Sequence, residues 1–162
     1  MSQSIVDTFT QQTPFIGLSG PGWQRRTFIK REDLRDAELG GNKWCKLAGH
    51  IEEAQRRGHD HLLSVGGPWS NHLHALALAG RRFGFSTTGL VRGRPVDTPM
   101  LADARRAGMD VHFISPGQYK QRNAEGGLCR LAASFRPAWL VPEGGGGPEA
   151  MPGLARLAAE IE

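Results

Sequence analysis

The sequence predicts an α/β fold, an open and mainly parallel sheet with helices on both faces, and three observations carry that prediction. The segments RRGHDHLLSV, RRFGFSTTGLV and RRAGMDVHFIS repeat one join, in which a basic helix end meets a glycine and then an apolar run. Their glycines, Gly58, Gly84 and Gly108, recur about every 25 residues, the length of one helix and strand unit. The apolar runs are short and bounded by polar or glycine-rich turns, as strands in such a sheet are.

The strands are expected near Thr27–Lys30, Leu62–Val65, Thr87–Val91, Val111–Ile114 and Trp139–Val141. Between the first two, Trp44, Leu47, Ala48, Ile51 and Ala54 follow a helical period, with Glu52, Glu53, Arg56 and Arg57 opposite; Gly58 stops the helix. The next helix, from Asn71 to Phe83, is apolar on most sides and is predicted to be buried. A third begins with Thr98 as cap and Pro99 in its first turn, and turns Met100, Leu101, Ala104 and Ala107 inward. Leu154, Leu157, Ala158 and Ile161 again have helical spacing, but Glu160 and Glu162 stand where a helix end prefers cations, so this last helix reads as cut short.

Composition narrows the function classes. With 39% hydrophobic and 22% charged residues over 162 positions, the chain is expected to be globular. No apolar run approaches the roughly 20 residues of a membrane span, and MSQSIVDTFTQQTP has neither the basic start nor the apolar stretch of a secretion signal. The expected compartment is the cytoplasm, with no membrane partner. Cys45 and Cys129 lie far apart and form no metal-spaced pair, which argues for reduced thiols and no metal site. The net charge of +4 comes from scattered arginines, paired at 25–26, 56–57, 81–82 and 105–106. Three of these pairs fall at predicted helix ends, where cations complement the dipole, so no nucleic-acid partner is predicted.

Three segments carry candidate chemistry. Gly40-Gly41-Asn42-Lys43-Trp44-Cys45-Lys46-Leu47 places two lysines in the first turns of a helix, where a desolvated amine loses its proton more easily and can condense with an aldehyde cofactor. Lys46, if it stays charged, faces a phosphate. Gly66-Gly67-Pro68-Trp69-Ser70-Asn71-His72 sits at the C-terminal end of a strand just before a helix, the edge where ligands bind in open α/β sheets. Glu143-Gly144-Gly145-Gly146-Gly147-Pro148 follows the last strand, and its backbone can approach a ligand closely. Each segment also has a plain reading: surface lysines, helix caps and a glycine linker. His72 and His74, two apart on a helix, point in different directions and make no metal pair. The fingerprints GxGxxG and GxxxxGK[ST] are both absent.

Taken in order, Lys30-Arg31-Glu32-Asp33-Leu34, GGNKWCKL, SVGGPWSNH, FIS and VPEGG resemble the D-cysteine desulfhydrase / 1-aminocyclopropane-1-carboxylate deaminase family over residues 28–160. The resemblance implies the tryptophan-synthase-β-like (type II) fold of enzymes that use pyridoxal 5′-phosphate (PLP). It assigns residues 1–40 to the large domain, 41–142 to the small α/β domain and 143–162 to a return into the large domain. The implied activity is that of a lyase or deaminase acting on a small amino acid, with Lys43 as covalent anchor of PLP and as base. Lys46 matches a position near the cofactor phosphate, Asn71 one that bonds the phenolic oxygen, and Ser70 one that assists proton transfer beside the substrate. His72 and Gly144 fall at substrate contacts. The family motif reads GGNKxRKL, so Cys45 stands where an arginine is usual. Family members are longer, and their remaining sequence supplies a phosphate loop and a partner for the pyridine nitrogen. A homo-oligomer or a complementing chain is therefore an implied partner, and an inactive fragment, a split subunit or a non-catalytic binding module stay open as alternatives.

Overall fold

The computed structural model describes Ile5, residues 12–22 and residues 26–161; most of the N-terminal stretch, Arg25 and Glu162 lie outside the described residues. Chain order begins with β1 (Phe15–Leu18) and β2 (Thr27–Lys30), which pair antiparallel. The strand expected at 27–30 thus exists but belongs to a separate hairpin, and its partner β1 was not anticipated. Both strands are four residues long, and Phe15, Ile16, Phe28 and Ile29 are all exposed, so neither carries the alternation that marks a half-buried strand.

The main sheet comprises β3 (His61–Gly66), β4 (Ser86–Arg92), β5 (Met109–Ile114) and β6 (Trp139–Leu140) in the order β5-β4-β3-β6, all parallel. Helices α1 (Asn42–Arg56), α2 (Asn71–Phe83) and α3 (Pro99–Arg106) cover one face, burying Leu47, Ile51, Leu73 and Leu76 against Leu62, Val91 and Met109. Two helices absent from the sequence reading, α4 (Pro116–Lys120) and α5 (Gly127–Ala132), lie over the opposite face, where Leu63, Val65, Leu90 and Ile114 meet Tyr119, Leu128 and Leu131. Neighbouring strand residues, Leu62 with Leu63 and Leu90 with Val91, thus feed opposite cores, as the two-residue period of a doubly covered strand requires.

The predicted punctuation holds. Gly58, Gly84 and Gly108 adopt φ of 74°, 77° and 94°, a region costly for any residue with a Cβ. Thr98 caps α3 by accepting from the Leu101 N–H at 3.2 Å, and Pro99 fills the first turn, although Met100 is only half-buried. Arg56, Arg81, Arg82, Arg105 and Arg106 occupy last turns.

The last helix, α6 (Met151–Ala159), packs on α1, close enough that a Cβ on Gly153 would lie 1.9 Å from the Cys45 carbonyl oxygen. Glu160, out of place by helix-dipole reasoning, has a tertiary purpose. Its carboxylate accepts from Lys30 at 2.7 Å and Arg35 at 2.6 Å, while Arg35 also reaches Glu32 at 2.8 Å. Thr13 donates to Glu32 at 2.6 Å, so four charged groups and a hydroxyl tie hairpin, helical turn and α6 together. Burial acts to raise the Glu32 carboxyl, but hydrogen bonds from Arg35, Thr13 and Lys30 prevail and hold it at about 2.

Candidate active site

Two helix N-termini and one glycine-rich turn meet at the C-terminal edge of β3. Gly41, at φ 89°, ends the approach to α1 and offers no side chain to cap it, so the first amides of α1 and the two lysines share one corner. Lys43 and Lys46 are both half-buried there. Lys43 lines a cavity of about 350 Å³ together with Gly40, Gly41, Asn71 and His74. Carboxylates form the far rim, and arginines engage them: Asp33 pairs with Arg31, Asp36 with Arg82 and Glu38 with Arg81. His74 and these acidic residues were not read as site residues: the Asp36 and Glu38 pairings bridge segments 46 and 43 residues apart, while the Asp33 pairing with Arg31 is local and reads as an ordinary surface ion pair.

The second helix begins directly opposite. Ser70 is the cap of α2, its hydroxyl accepting from the Leu73 N–H at 3.2 Å, and a Cβ on Gly66 would come within 2.7 Å of that oxygen. The Ser70 hydroxyl therefore serves its own helix in this conformation, while the exposed side chain of Asn71 faces the same cavity as Lys43. Trp69, 66% exposed, stands at the rim of this loop, which is fastened by the Thr98 hydroxyl donating to the Pro68 carbonyl at 2.7 Å.

His72 does not line that cavity. Its ring is buried beneath the glycine turn, with Nε2 2.8 Å from the Ser64 hydroxyl, because α2 turns this position inward onto β3. Burial, and then the positive charge of Lys43, pushes the imidazole down to about 4, with Glu143 opposing. Lys46 leans in from the other side: a Cβ on Gly145 would sit 3.2 Å from the Lys46 Cβ and 3.6 Å from the His72 ring.

The turn itself is held at both ends. Tyr119 and Arg122 both donate to the Glu143 carboxylate, and the Arg122 guanidinium lies 3.8 Å from the centre of the Tyr119 ring. At the other end His50 Nε2–H donates to the Gly146 carbonyl at 2.9 Å, and its Nδ1 accepts from Trp139 at 3.4 Å, a neutral tautomer that burial favours by lowering the pKa. Between these anchors Gly144 takes φ 73° with open space where a side chain would be. His50 was missed in the sequence, where it reads only as one more helical position.

Cys45 faces the buried charge cluster, its sulfur 4.0 Å from Glu32, with Arg35 near enough to oppose the rise that burial gives the thiol pKa. An arginine is thus present at this spot, supplied from the preceding turn. Among the described residues no group of three metal-ligating side chains occurs, and no helix is long and apolar enough to cross a membrane.

No family model matches the chain. It is 31% identical over 146 residues to a D-cysteine desulfhydrase of Yersinia enterocolitica, covering 85% of this chain and 44% of that protein. It is 29% identical over 167 residues to a bifunctional D-cysteine desulfhydrase/1-aminocyclopropane-1-carboxylate deaminase of Arabidopsis thaliana, covering 93% and 41%. A crystal structure described as an ACC deaminase homologue superposes with a TM-score of 0.74 at 26% identity, over 99% of this chain and 54% of that one. An O-ureido-L-serine synthase shares the fold, with a TM-score of 0.69 at 17% identity. The chain spans about two fifths of the length of the curated relatives it matches.

Proposed function

Because the chain belongs to the D-cysteine desulfhydrase / 1-aminocyclopropane-1-carboxylate deaminase family over the part matched, we propose that it carries the covalent anchor of a PLP-dependent amino-acid lyase or deaminase. The observation that carries this reading is the joint opening of Lys43 and Asn71 onto one cavity, beside a glycine turn with open backbone. A cavity of about 350 Å³ lies within the range for small ligands. These residues fit PLP.

Lys43 would hold the cofactor through its amine, Asn71 would steady its ring from across the cavity, and Lys46 would offer a charge to its phosphate. When bound, PLP supplies an electron sink for the charge left by removal of a proton from an amino acid. Everything else falls to the chain. The amine of Lys43, once free and neutral, takes the proton from the carbon beside the substrate amino group. The Ser70 hydroxyl, by turning from its cap, can reach over the same space, and Gly144 leaves the backbone bare for a substrate carboxylate. On this reading residues 1–40 and 143–162 belong to a large domain and 41–142 to the small one, and the protein works in the cytoplasm on a small amino acid.

Reduction with borohydride after addition of PLP, followed by peptide mapping, tests the anchor. The tag is expected on Lys43. A tag spread over Lys30, Lys46 and Lys120 would defeat the proposal.

A second reading follows from the hairpin, whose Phe15, Ile16, Phe28 and Ile29 are all exposed on a two-stranded ribbon that is marginal by itself. It makes these 162 residues dependent on further polypeptide, in another copy or a complementing chain. Turnover of D-cysteine or 1-aminocyclopropane-1-carboxylate at about 1 per second or more by the chain shown to be monomeric under the assay conditions would exclude it.

A further inference from the structure

The wall of the Lys43 cavity includes one titratable side chain that nothing described so far employs. The carboxylates of Asp33, Asp36 and Glu38 are engaged by Arg31, Arg82 and Arg81. No hydrogen bond ties the side chain of Lys43, Asn71 or His74 to another described residue, so these three keep free atoms for whatever enters. Lys43 and Asn71 already have roles; His74 has none. It stands three residues after Asn71 on α2, hence on the same face of that helix, with 26% of its side chain exposed. Its Nε2 lies 3.8 Å from the Asp103 carboxylate on α3, and Arg106, from the same helix, holds Asp103.

This is the arrangement of a proton acceptor. Partial burial lowers the pKa of the ring, so at neutral pH the imidazole is uncharged and one nitrogen keeps a lone pair. Asp103 is too far away to be hydrogen-bonded to that ring, yet close enough to steady the charge once the ring takes a proton. The cavity, about 350 Å³, has room for water to carry a proton from one wall to the other.

What needs such an acceptor is an amine. An amine condenses with an aldehyde only after its ammonium form has lost a proton, and Lys43 shares the cavity. From this geometry we infer that His74 takes that proton, directly or through a water: from the Lys43 ammonium when it captures an aldehyde, and from the ammonium of an amino acid that enters later. In each case one N–H bond breaks on the amine, one forms on the imidazole, and the imidazolium passes the proton to solvent at the open rim. Asp103 on α3 favours the charged ring and Lys43 on α1 opposes it, while Asp33, Asp36 and Glu38 are offset by their arginines. The inference deepens the amino-acid reading above and rests on it for the identity of the incoming amine, but its test uses no turnover.

The experiment measures, against pH, the rate at which PLP and borohydride tag Lys43. His74→Ala is expected to slow tagging about tenfold or more at neutral pH. At high pH, where the amine is neutral without help, the variant should tag as fast as the parent chain. Added imidazole should restore the neutral-pH rate, because it can occupy the space the ring has left. Should His74→Ala fail to fold, His74→Gln, which fills that space without a basic nitrogen, replaces it in the pH comparison. Nitrogen NMR of the chain labelled in its imidazole rings supplies the second measurement: His74 should be uncharged at neutral pH, Asp103→Asn should lower its pKa, and Lys43→Ala should raise it. An unchanged rate in the His74 variant, a deficit that persists at high pH or ignores imidazole, or a ring insensitive to Lys43→Ala overturns the inference. A tag on lysines other than Lys43, with the NMR couplings intact, would sink the function proposed above and leave His74 as the acceptor. A Lys43 tag whose rate ignores His74 would do the opposite.

Discussion

The two ends of β3 carry nearly the same buried pair and differ in everything around it. At the C-terminal end His72 meets Ser64 at 2.8 Å; at the N-terminal end His61 meets Thr88 at 2.9 Å. Both rings are buried, and both have Nδ1 without a partner. The N-terminal end even has the larger cavity, about 510 Å³ against about 350 Å³. What it lacks is convergence of donors. Parallel strands bring helix N-termini to one edge of the sheet and helix C-termini to the other, so only one edge presents unpaired N–H groups. The lysine pair and the glycine turn stand at that edge, while Arg57, Arg106 and Arg136 mark the other. Volume and a buried histidine do not locate a site; the direction of the strands does.

The sharpest way to break this contrast is at Lys43. Lys43→Ala is expected to abolish covalent capture of PLP, read as loss of the borohydride tag and of the visible absorbance of the bound cofactor. His61→Gln, at the other end of the strand, is expected to leave capture unchanged. Equal losses would mean that the two edges act as one unit.

The histidines also differ in their effect on stability against pH. The His72 pKa is about 4 when folded against 6.5 for an unperturbed ring, so below pH 6.5 the unfolded chain binds the proton first. Stability is therefore complete above pH 6.5 and falls as the pH drops toward 4, by about 3 kcal/mol in all. His61 is lowered too, by burial and then by Arg136, and the same sign applies. Urea unfolding at several pH values should show that His72→Gln removes more of the acid slope than His61→Gln. An unchanged slope in His72→Gln would mean that the ring is not held neutral.

A close approach beneath the glycine turn supplies the next test. A Cβ on Gly49 of α1 would lie 1.9 Å from the Glu149 carbonyl oxygen, so the segment after the turn can dock only on a bare helix surface. Gly49→Ala should cost about 1–3 kcal/mol, the price of forcing packed backbone apart, and should loosen the His50 bond to Gly146. At the other edge Gly108 has open space around its missing side chain, so Gly108→Ala should be felt only through its φ of 94°, about 1 kcal/mol.

Much of this architecture is legible in the sequence. Ser70, Thr98, Gly58 and Gly84 mark ends that local chemistry sets, and the helix from Asn71 to Phe83 was bounded by its pattern alone. α4 and α5 span five and six residues, too short to show a helical period, and the hairpin buries neither face. Of the candidate site, Lys43 and Asn71 stand out in the sequence through their local motifs, and the structure brings both to one cavity. His50, His74 and Ser64 do not stand out, because each acts through a partner on another element. Glu160 is the clearest case, since it meets Arg35 across 125 residues of chain. The charge cluster beside Cys45 was likewise not legible, because Arg35 and Glu160 come to it from other elements.

The smallest expected effect lies at the N-terminal edge. Arg136 donates to Asp60 at 3.2 Å and to the Ser86 hydroxyl at the larger cavity, a placement like that of Arg122 at the glycine turn through Glu143. The resemblance is superficial. Half of the Arg136 side chain and four fifths of that of Asp60 are exposed, so the attraction acts through water and competes with the entropy of two mobile side chains. Arg122 by contrast is mostly covered and lies over the Tyr119 ring, and it shares Glu143 with the Tyr119 hydroxyl. Arg136→Ala should therefore change stability by no more than about 0.5 kcal/mol and leave binding at the other edge untouched. Arg122→Ala, which frees Glu143 and one end of the turn, should lose clearly more and should shift the NMR signal of His72. Urea titrations of the two variants decide the matter: an Arg136→Ala loss equal to that of Arg122→Ala would show that the N-terminal edge is as firmly built as the site, and the contrast between the two ends of β3 would lose its basis.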